Sequence, residues 1–180
     1  MGDIQHFNYI VNKSKDFESL TTYDLRLTAG KQDTTVYGFP DEYQRKVLIF
    51  ECEIEEECIV LPDKLEDLWI YHCKNMKNMR CSLNKAVLLE NATELRICFI
   101  GDSKGIECMV ELDSSSSSLC CSVLDKLEEL HFSGLPNLSV LVRVERVPTP
   151  PHIFSNLKIL GMSNCSRMRK LFPPWLLQTL

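Results

Sequence analysis

Two stretches of this chain share a spacing and little else. LEDLWIYHCKNM at 65–76 and LKILGMSNCSRM at 157–168 both read L-x-x-L-x-[IM]-x-x-C-x-x-M. Counting steps from the first Leu, steps one and four are Leu, six is apolar, nine is Cys and twelve is Met. The same frame finds weaker copies in LEELHFSGLPNL (Leu127, Leu130, Phe132, Leu135, Leu138), ATELRICFI (Ala92, Leu95, Ile97, Ile100), QRKVLIFEC (Val47, Ile49, Cys52) and TTYDLRLTAG (Leu25, Leu27). Step four falls at 25, 47, 68, 95, 130 and 160, at intervals of 22, 21, 27, 35 and 30. Self-similarity at this period marks an array of units of about 20–29 residues, here with insertions in the longer ones.

The spacing has a physical reading. An L-x-L core is a short strand whose side chains alternate between two faces. One such strand cannot bury its apolar face alone; stacked parallel to its copies, it builds a continuous core. The frame predicts strands at 23–28, 46–50, 67–71, 94–98, 129–133 and 159–163. Leu25, Val47, Leu68, Leu95, Leu130 and Leu160 then lie buried and adjacent in one parallel sheet. Step nine sits where the chain turns away and backbone polar groups need partners. A Cys there is small, tolerates burial and donates weakly. The fold class read from this pattern is α/β: a leucine-rich-repeat solenoid over residues 1–180. Its parallel strands form the concave face, and irregular loops or short helical turns form the convex face.

Between the strands the chain is irregular. DSSSSSLCCS separates the units at 95 and 130 and cannot build a core. RVERVPTPPHIF, between 130 and 160, is limited to extended paths by its prolines. MKNMRCSLNKAVLLEN and the first twenty residues each have room for a short helix. ECEIEEEC at 51–58 is an acidic run, and CSRMRK at 165–170 is a basic counterpart.

The totals exclude several classes. Hydrophobic residues make up 44% and charged residues 25%, a globular composition. Net charge is −5, so neither nucleic acid nor an anionic membrane gains general electrostatic support. Residues 1–60 carry 12 acids and 6 bases; residues 121–180 carry 4 acids and 7 bases. No apolar run reaches bilayer-spanning length, and the N-terminus lacks the basic-then-apolar order of a secretory signal. The reading is a soluble, cytoplasmic chain whose nine cysteines are reduced. LTAGKQ lacks the first Gly and the Ser or Thr of a phosphate loop. No Cys-x-x-Cys pair marks a zinc site, and no nucleophile elbow marks a hydrolase. No catalytic, cofactor-binding or metal-ligating residue is assigned, and the chain reads as a non-enzyme.

KLEDLWIYHCKNMKNM, KLEELHFSGLPNLSVL and IFSNLKILGMSNCSRMRKLFPPWLLQTL resemble the leucine-rich-repeat region of plant intracellular immune receptors of the coiled-coil, nucleotide-binding kind. NCSRMRKLFPP is the most specific phrase. The resemblance implies recognition of pathogen effectors or guarded host proteins, and contact with the receptor's own nucleotide-binding module that holds it off. ADP or ATP is expected only in that module, whose phosphate loop is absent from these residues. The contact face is expected on the outward steps of the strands: Asp24, Arg26, Lys46, Leu48, Phe50, Asp67, Trp69, Tyr71, Glu94, Arg96, Glu129, His131, Ile159, Gly161 and Ser163. Trp69, Tyr71 and Phe50 stand out there, because aromatics are favoured anchors. The acidic run 51–57 and early repeats are expected to dock on the receptor's own basic surface, and the later repeats to take part in recognition. The runner-up reading is the substrate-recognition repeat region of an F-box ubiquitin-ligase adaptor.

Overall fold

A computed structural model describes residues 23–28, 45–52, 59–62, 64–80, 87–88, 92–112, 124–144 and 153–172. Six strands form one sheet, parallel throughout and adjacent in chain order: β1 (Tyr23–Thr28), β2 (Arg45–Phe50), β4 (Asp67–Tyr71), β7 (Ile97–Gly101), β9 (Glu129–Ser133) and β11 (Ile159–Ser163). Five shorter strands make a second parallel sheet: β3 (Ile59–Val60), β5 (Met79–Arg80), β6 (Val87–Leu88), β8 (Cys108–Leu112) and β10 (Val140–Val144). The sequence pattern did not anticipate this second sheet. Among the described residues the helix is limited to one turn at 124–126. The expected helix at the first twenty residues and the serine and proline insertions lie outside the described residues, as do residues 53–58 of the acidic run.

The register explains the frame. Leu25 pairs with Val47, Val47 with Leu68, Leu68 with Cys98, Cys98 with Leu130 and Leu130 with Leu160. Step six follows as Leu27, Ile49, Ile70, Ile100, Phe132 and Met162. One core joins the two sheets, since steps one, four, six, twelve and fifteen all enter it. In the central units these are Leu65, Leu68, Ile70, Met76 and Met79, then Leu127, Leu130, Phe132, Leu138 and Leu141.

The fourth strand departs from expectation. It begins at Ile97 rather than 94, and Cys98, not Leu95, stands beside Leu68 and Leu130. Leu95 is buried at step one. The turn decides between the two frames. In every described repeat the residue at step eight takes a left-handed backbone: Glu51, His72, Asp102, Gly134 and Asn164, with φ between 46° and 65°. The frame from Ala92 would put Phe99 there and Ile100 at step nine. Bulky side chains oppose positive φ, and Ile has no donor for the turn. Asp102 and Ser103 meet both needs. Step four therefore runs 25, 47, 68, 98, 130 and 160.

Step nine ties each turn to its neighbours. The thiols of Cys52, Cys73 and Cys165 each donate to the carbonyl two residues back, at 3.4 Å. The Ser103 hydroxyl donates to the Gly101 carbonyl at 2.9 Å and accepts the Cys73 amide N–H at 3.0 Å. The neighbouring Cys52 thiol, and then burial, push the Cys73 thiol well above its usual range, so it stays a protonated donor. Backbone bonds extend the sheet past the strands, from the amides of His72, Asp102 and Gly134 to the carbonyls of Gly101, Ser133 and Ser163. Repeat-to-repeat bonds thus satisfy groups that a lone turn would leave unpaired.

Candidate protein-binding face

Steps three, five and seven point away from the core and form three rows across the six-stranded sheet. In β2, β4, β7, β9 and β11 the central row is Leu48, Trp69, Phe99, His131 and Gly161. Phe50, Tyr71, Gly101, Ser133 and Ser163 line one side; Lys46, Asp67, Ile97, Glu129 and Ile159 line the other.

Four rings form a staircase on this face. Trp69 and Phe99 stack at 4.8 Å with an interplanar angle of 11°, and Tyr71 and Phe99 at 4.9 Å and 15°. His131 continues the series, 6.0 Å from Phe99 at 16°. The spacing follows from the sheet, because neighbouring strands lie about 4.8 Å apart and offset parallel rings attract at that distance. Two glycines make the tilt of the rings possible. A Cβ on Gly101 would meet the Tyr71 ring at 2.4 Å, and one on Gly161 would meet His131 Nδ1 at 2.5 Å. Tyr71 and His131 each lean over the glycine of the next strand.

Beneath the rings lies Asp67, fully buried on this face. Its Oδ1 accepts the Trp69 indole N–H at 2.7 Å, while Oδ2 has no hydrogen-bond partner among the described residues. Burial pushes the carboxyl up from 3.8 to about 6, against the opposing pull of the Trp69 N–H and the Lys46 charge. Glu129 Oε2 lies 3.2 Å from His131 Nε2.

A row of alternating charge runs along the sheet at step two: Arg45, Glu66, Arg96, Glu128 and Lys158. Arg45 meets Glu66 at 2.7 Å. Glu128 receives Arg96 Nε and Lys158 Nζ, both at 2.7 Å. Lys158 and then Arg96 hold the Glu128 carboxyl below its usual range.

Residues 42–180 match the family of plant disease resistance protein RPS2-like leucine-rich repeats. The chain belongs to that family. No curated protein and no solved structure matched it. The resemblance read from the repeat phrasing is therefore sound. The leucine-rich repeats of resistance proteins are recognition modules, and no helix among the described residues is long and apolar enough to cross a membrane.

Against this frame of resistance-protein repeats, the expected face residues divide. Asp67, Trp69, Tyr71, Glu129, His131, Ile159, Gly161 and Ser163 lie on outward steps, and Trp69, Tyr71, Phe99 and His131 are half-buried. Lys46, Phe50 and Asp67, expected as available contacts, are outward by register yet buried. The Phe50 ring meets His72 edge-on at 5.4 Å, and Lys46 is the register partner of Asp67. Leu48 is buried as well. Glu94 and Arg96 are not on the face: both precede β7, with Arg96 in the charged row and Glu94 paired to Lys126 at 3.1 Å. Asp24 and Arg26 lie in β1 at the positions paired with Lys46 and Leu48. Phe99, at the centre of the staircase, was missed with the fourth frame. Its signal was the Asp102–Ser103 pair that suits the turn.

Proposed function

We propose that this chain is the protein-recognition and autoinhibitory part of an intracellular plant immune receptor. In this reading residues 1–180 are one solenoid array, and the rows around Trp69, Phe99 and His131 line its concave face. The face binds a pathogen effector or a guarded host protein in the cytoplasm, by contact and without chemistry. In the resting state early repeats hold the receptor's own nucleotide-binding module, where ADP or ATP resides.

The observation that supports this most is the ring staircase. Four half-buried rings are fixed in register on a rigid sheet, and rigid aromatics bring contact area at little entropic cost. The central hydrophobic cluster lies on the other side of the sheet. The test is defence signalling in plant tissue by a receptor carrying these repeats. Tyr71→Ala with His131→Ala should lose triggered cell death at normal protein levels. Lys126→Ala, away from the face, should keep it. Full signalling by the double variant would remove the face from recognition.

A further inference from the structure

The ring staircase conceals an acid. Asp67 is fully buried although its step faces outward. Its register partners on the two neighbouring strands are Lys46 and Ile97, both buried. The next outward side chain along its own strand is Trp69, which donates to Oδ1, while Oδ2 has no hydrogen-bond partner among the described residues. Trp69 is only half-buried. Of these neighbours the indole is therefore the one that a local opening displaces at least cost. It is also a member of the stack, 4.8 Å from Phe99, so its position sets one side of the whole row.

Opposing effects act on the concealed carboxyl. Burial is the largest and disfavours its ionised form; the charges of Glu129 on β9 and Glu66 beside it act in the same sense. The Trp69 N–H and the Lys46 charge on β2 favour ionisation. The two other cations at the strand ends are engaged elsewhere, Arg45 by Glu66 and Arg96 by Glu128. Burial wins, and the carboxyl stands at about 6 instead of 3.8. Once ionised, it gains more from water than the indole N–H and Lys46 together supply.

We propose that Asp67 and Trp69 form a proton-operated latch on the outward face: the protonated acid leaves the indole down and the ring row closed, and the ionised acid favours release of the indole, which lets water reach the carboxylate and frees one side of Phe99. The latch is a property of the chain alone. Its consequence rests on the recognition reading above: a partner that packs on the closed row takes up a proton as it binds, so the face is proton-linked in the range where Asp67 titrates.

The test is hydrogen exchange of the full chain by NMR. It follows the Trp69 indole N–H, assigned with Trp69→Phe, beside the backbone amide of Ile70 inside the sheet. Each rate is divided by that of a free indole or a free amide at the same pH, which leaves the protection due to structure. The indole should be less protected than Ile70 throughout, because it opens without unfolding the sheet. Its protection should fall by up to about a hundredfold between about pH 4 and 6, roughly tenfold per unit by which the carboxyl is raised, and then level off. Asp67→Asn, which keeps an acceptor and cannot ionise, should show no such fall. Lys46→Met, which removes the charge that favours ionisation, should extend the fall to higher pH. Equal protection of the indole and Ile70 would mean that the indole is released only on unfolding. A fall that persists in Asp67→Asn would belong to another group, and no fall in the parent chain would mean that the row stays closed over the ionised acid. Each of these results overturns the latch. None of them touches the recognition reading, which the signalling test decides separately.

Discussion

The indole N–H of Trp69 donates to the buried carboxyl of Asp67 at 2.7 Å, so a face residue and a concealed acid act as one unit. The bond orients the indole against Phe99. The carboxyl in turn lies under the staircase, shielded from water, with its second oxygen unpartnered among the described residues. Removing either side chain therefore does more than remove one contact.

This unit makes stability depend on pH. Burial raises the Asp67 carboxyl from 3.8 to about 6. For an acid raised on folding, the folded state holds its proton more tightly than the unfolded chain. Stability is then highest below about 4, falls as pH rises from about 4 to 6, and changes no further above that window. At about 1.4 kcal/mol per unit the whole effect is on the order of 3 kcal/mol, an upper bound because the site relaxes. Asp67→Asn keeps the shape and removes the titration. The difference in urea midpoint between Asp67→Asn and the parent chain should favour the variant increasingly from about pH 4 to 6 and level off above. A difference independent of pH would mean the carboxyl is better solvated than its burial implies.

Trp69→Ala should cost about 2–4 kcal/mol rather than the small sum expected of a surface ring, because it also strips Asp67 of its donor. Trp69→Phe separates the two causes, since it keeps the stack and loses only the N–H. Leu68→Asp, which buries an unpaired carboxylate at step four, should remain the more damaging change. If equilibrium unfolding ranks Trp69→Ala above it, the faces of β4 are exchanged.

Ser103 is the joint between two turns. It takes the Cys73 amide and gives its own proton to the Gly101 carbonyl. Ser103→Ala leaves the buried Cys73 N–H without its acceptor, while the Gly101 carbonyl keeps the His72 N–H, at a cost of about 1–3 kcal/mol in urea denaturation. Ser103→Cys restores the residue used in the repeats at 52, 73 and 165 and should recover more than half of that loss. Equal losses for both variants would show that volume, not hydrogen bonding, sets the requirement at step nine.

The sequence carried the fold where the frame was full. Leu65, Leu68, Ile70, Cys73 and Met76 occupy five steps without ambiguity, and the strand there falls at the expected 67–71. It failed at ATELRICFI because two frames three residues apart both bury Leu95. Apolar spacing alone could not separate them; the left-handed step eight and the donor at step nine do, and both are turn chemistry rather than hydrophobicity. That error moved Glu94 and Arg96 onto the face and left Phe99 off it. Lys46, Phe50 and Asp67 were misjudged for another reason. Alternation tells which way a side chain points from a strand, but not what lies above it. The second sheet was invisible because its strands β3, β5 and β6 are two residues long and carry no periodic signal.

Gly134 combines both demands of its turn. It has φ of +65°, and a Cβ there would fall 2.1 Å from Asp102 Oδ1. The backbone term alone costs an alanine about 1 kcal/mol. The clash adds to it, because Asp102 is the step-eight residue of the neighbouring repeat, with a left-handed backbone of its own. Gly134→Ala should therefore lose about 1–3 kcal/mol, and adding Asp102→Ala should return the part owed to the clash. Strictly additive losses in the double variant would mean Asp102 moves aside freely.

The alternating row at step two predicts a salt-dependent stability. Glu128 accepts from Arg96 on one side and Lys158 on the other, so Glu128→Gln leaves two cations flanking a neutral amide. Exposed ion pairs contribute about 0–1 kcal/mol each and weaken with ionic strength. The loss should lie near the upper end at about 20 mM salt, where the Debye length is long, and shrink severalfold by about 1 M. Glu128→Lys should lose more at low salt, since it places three positive charges side by side across β7, β9 and β11. Because the carboxyl is held below its usual range, the contribution is present at neutral pH and disappears as pH falls through that lowered value. Unfolding midpoints measured across both salt and pH separate this row from Asp67, whose effect has the opposite pH sign and, being buried, resists screening. A Glu128→Gln loss that persists in high salt would assign Glu128 a packing role instead of an electrostatic one.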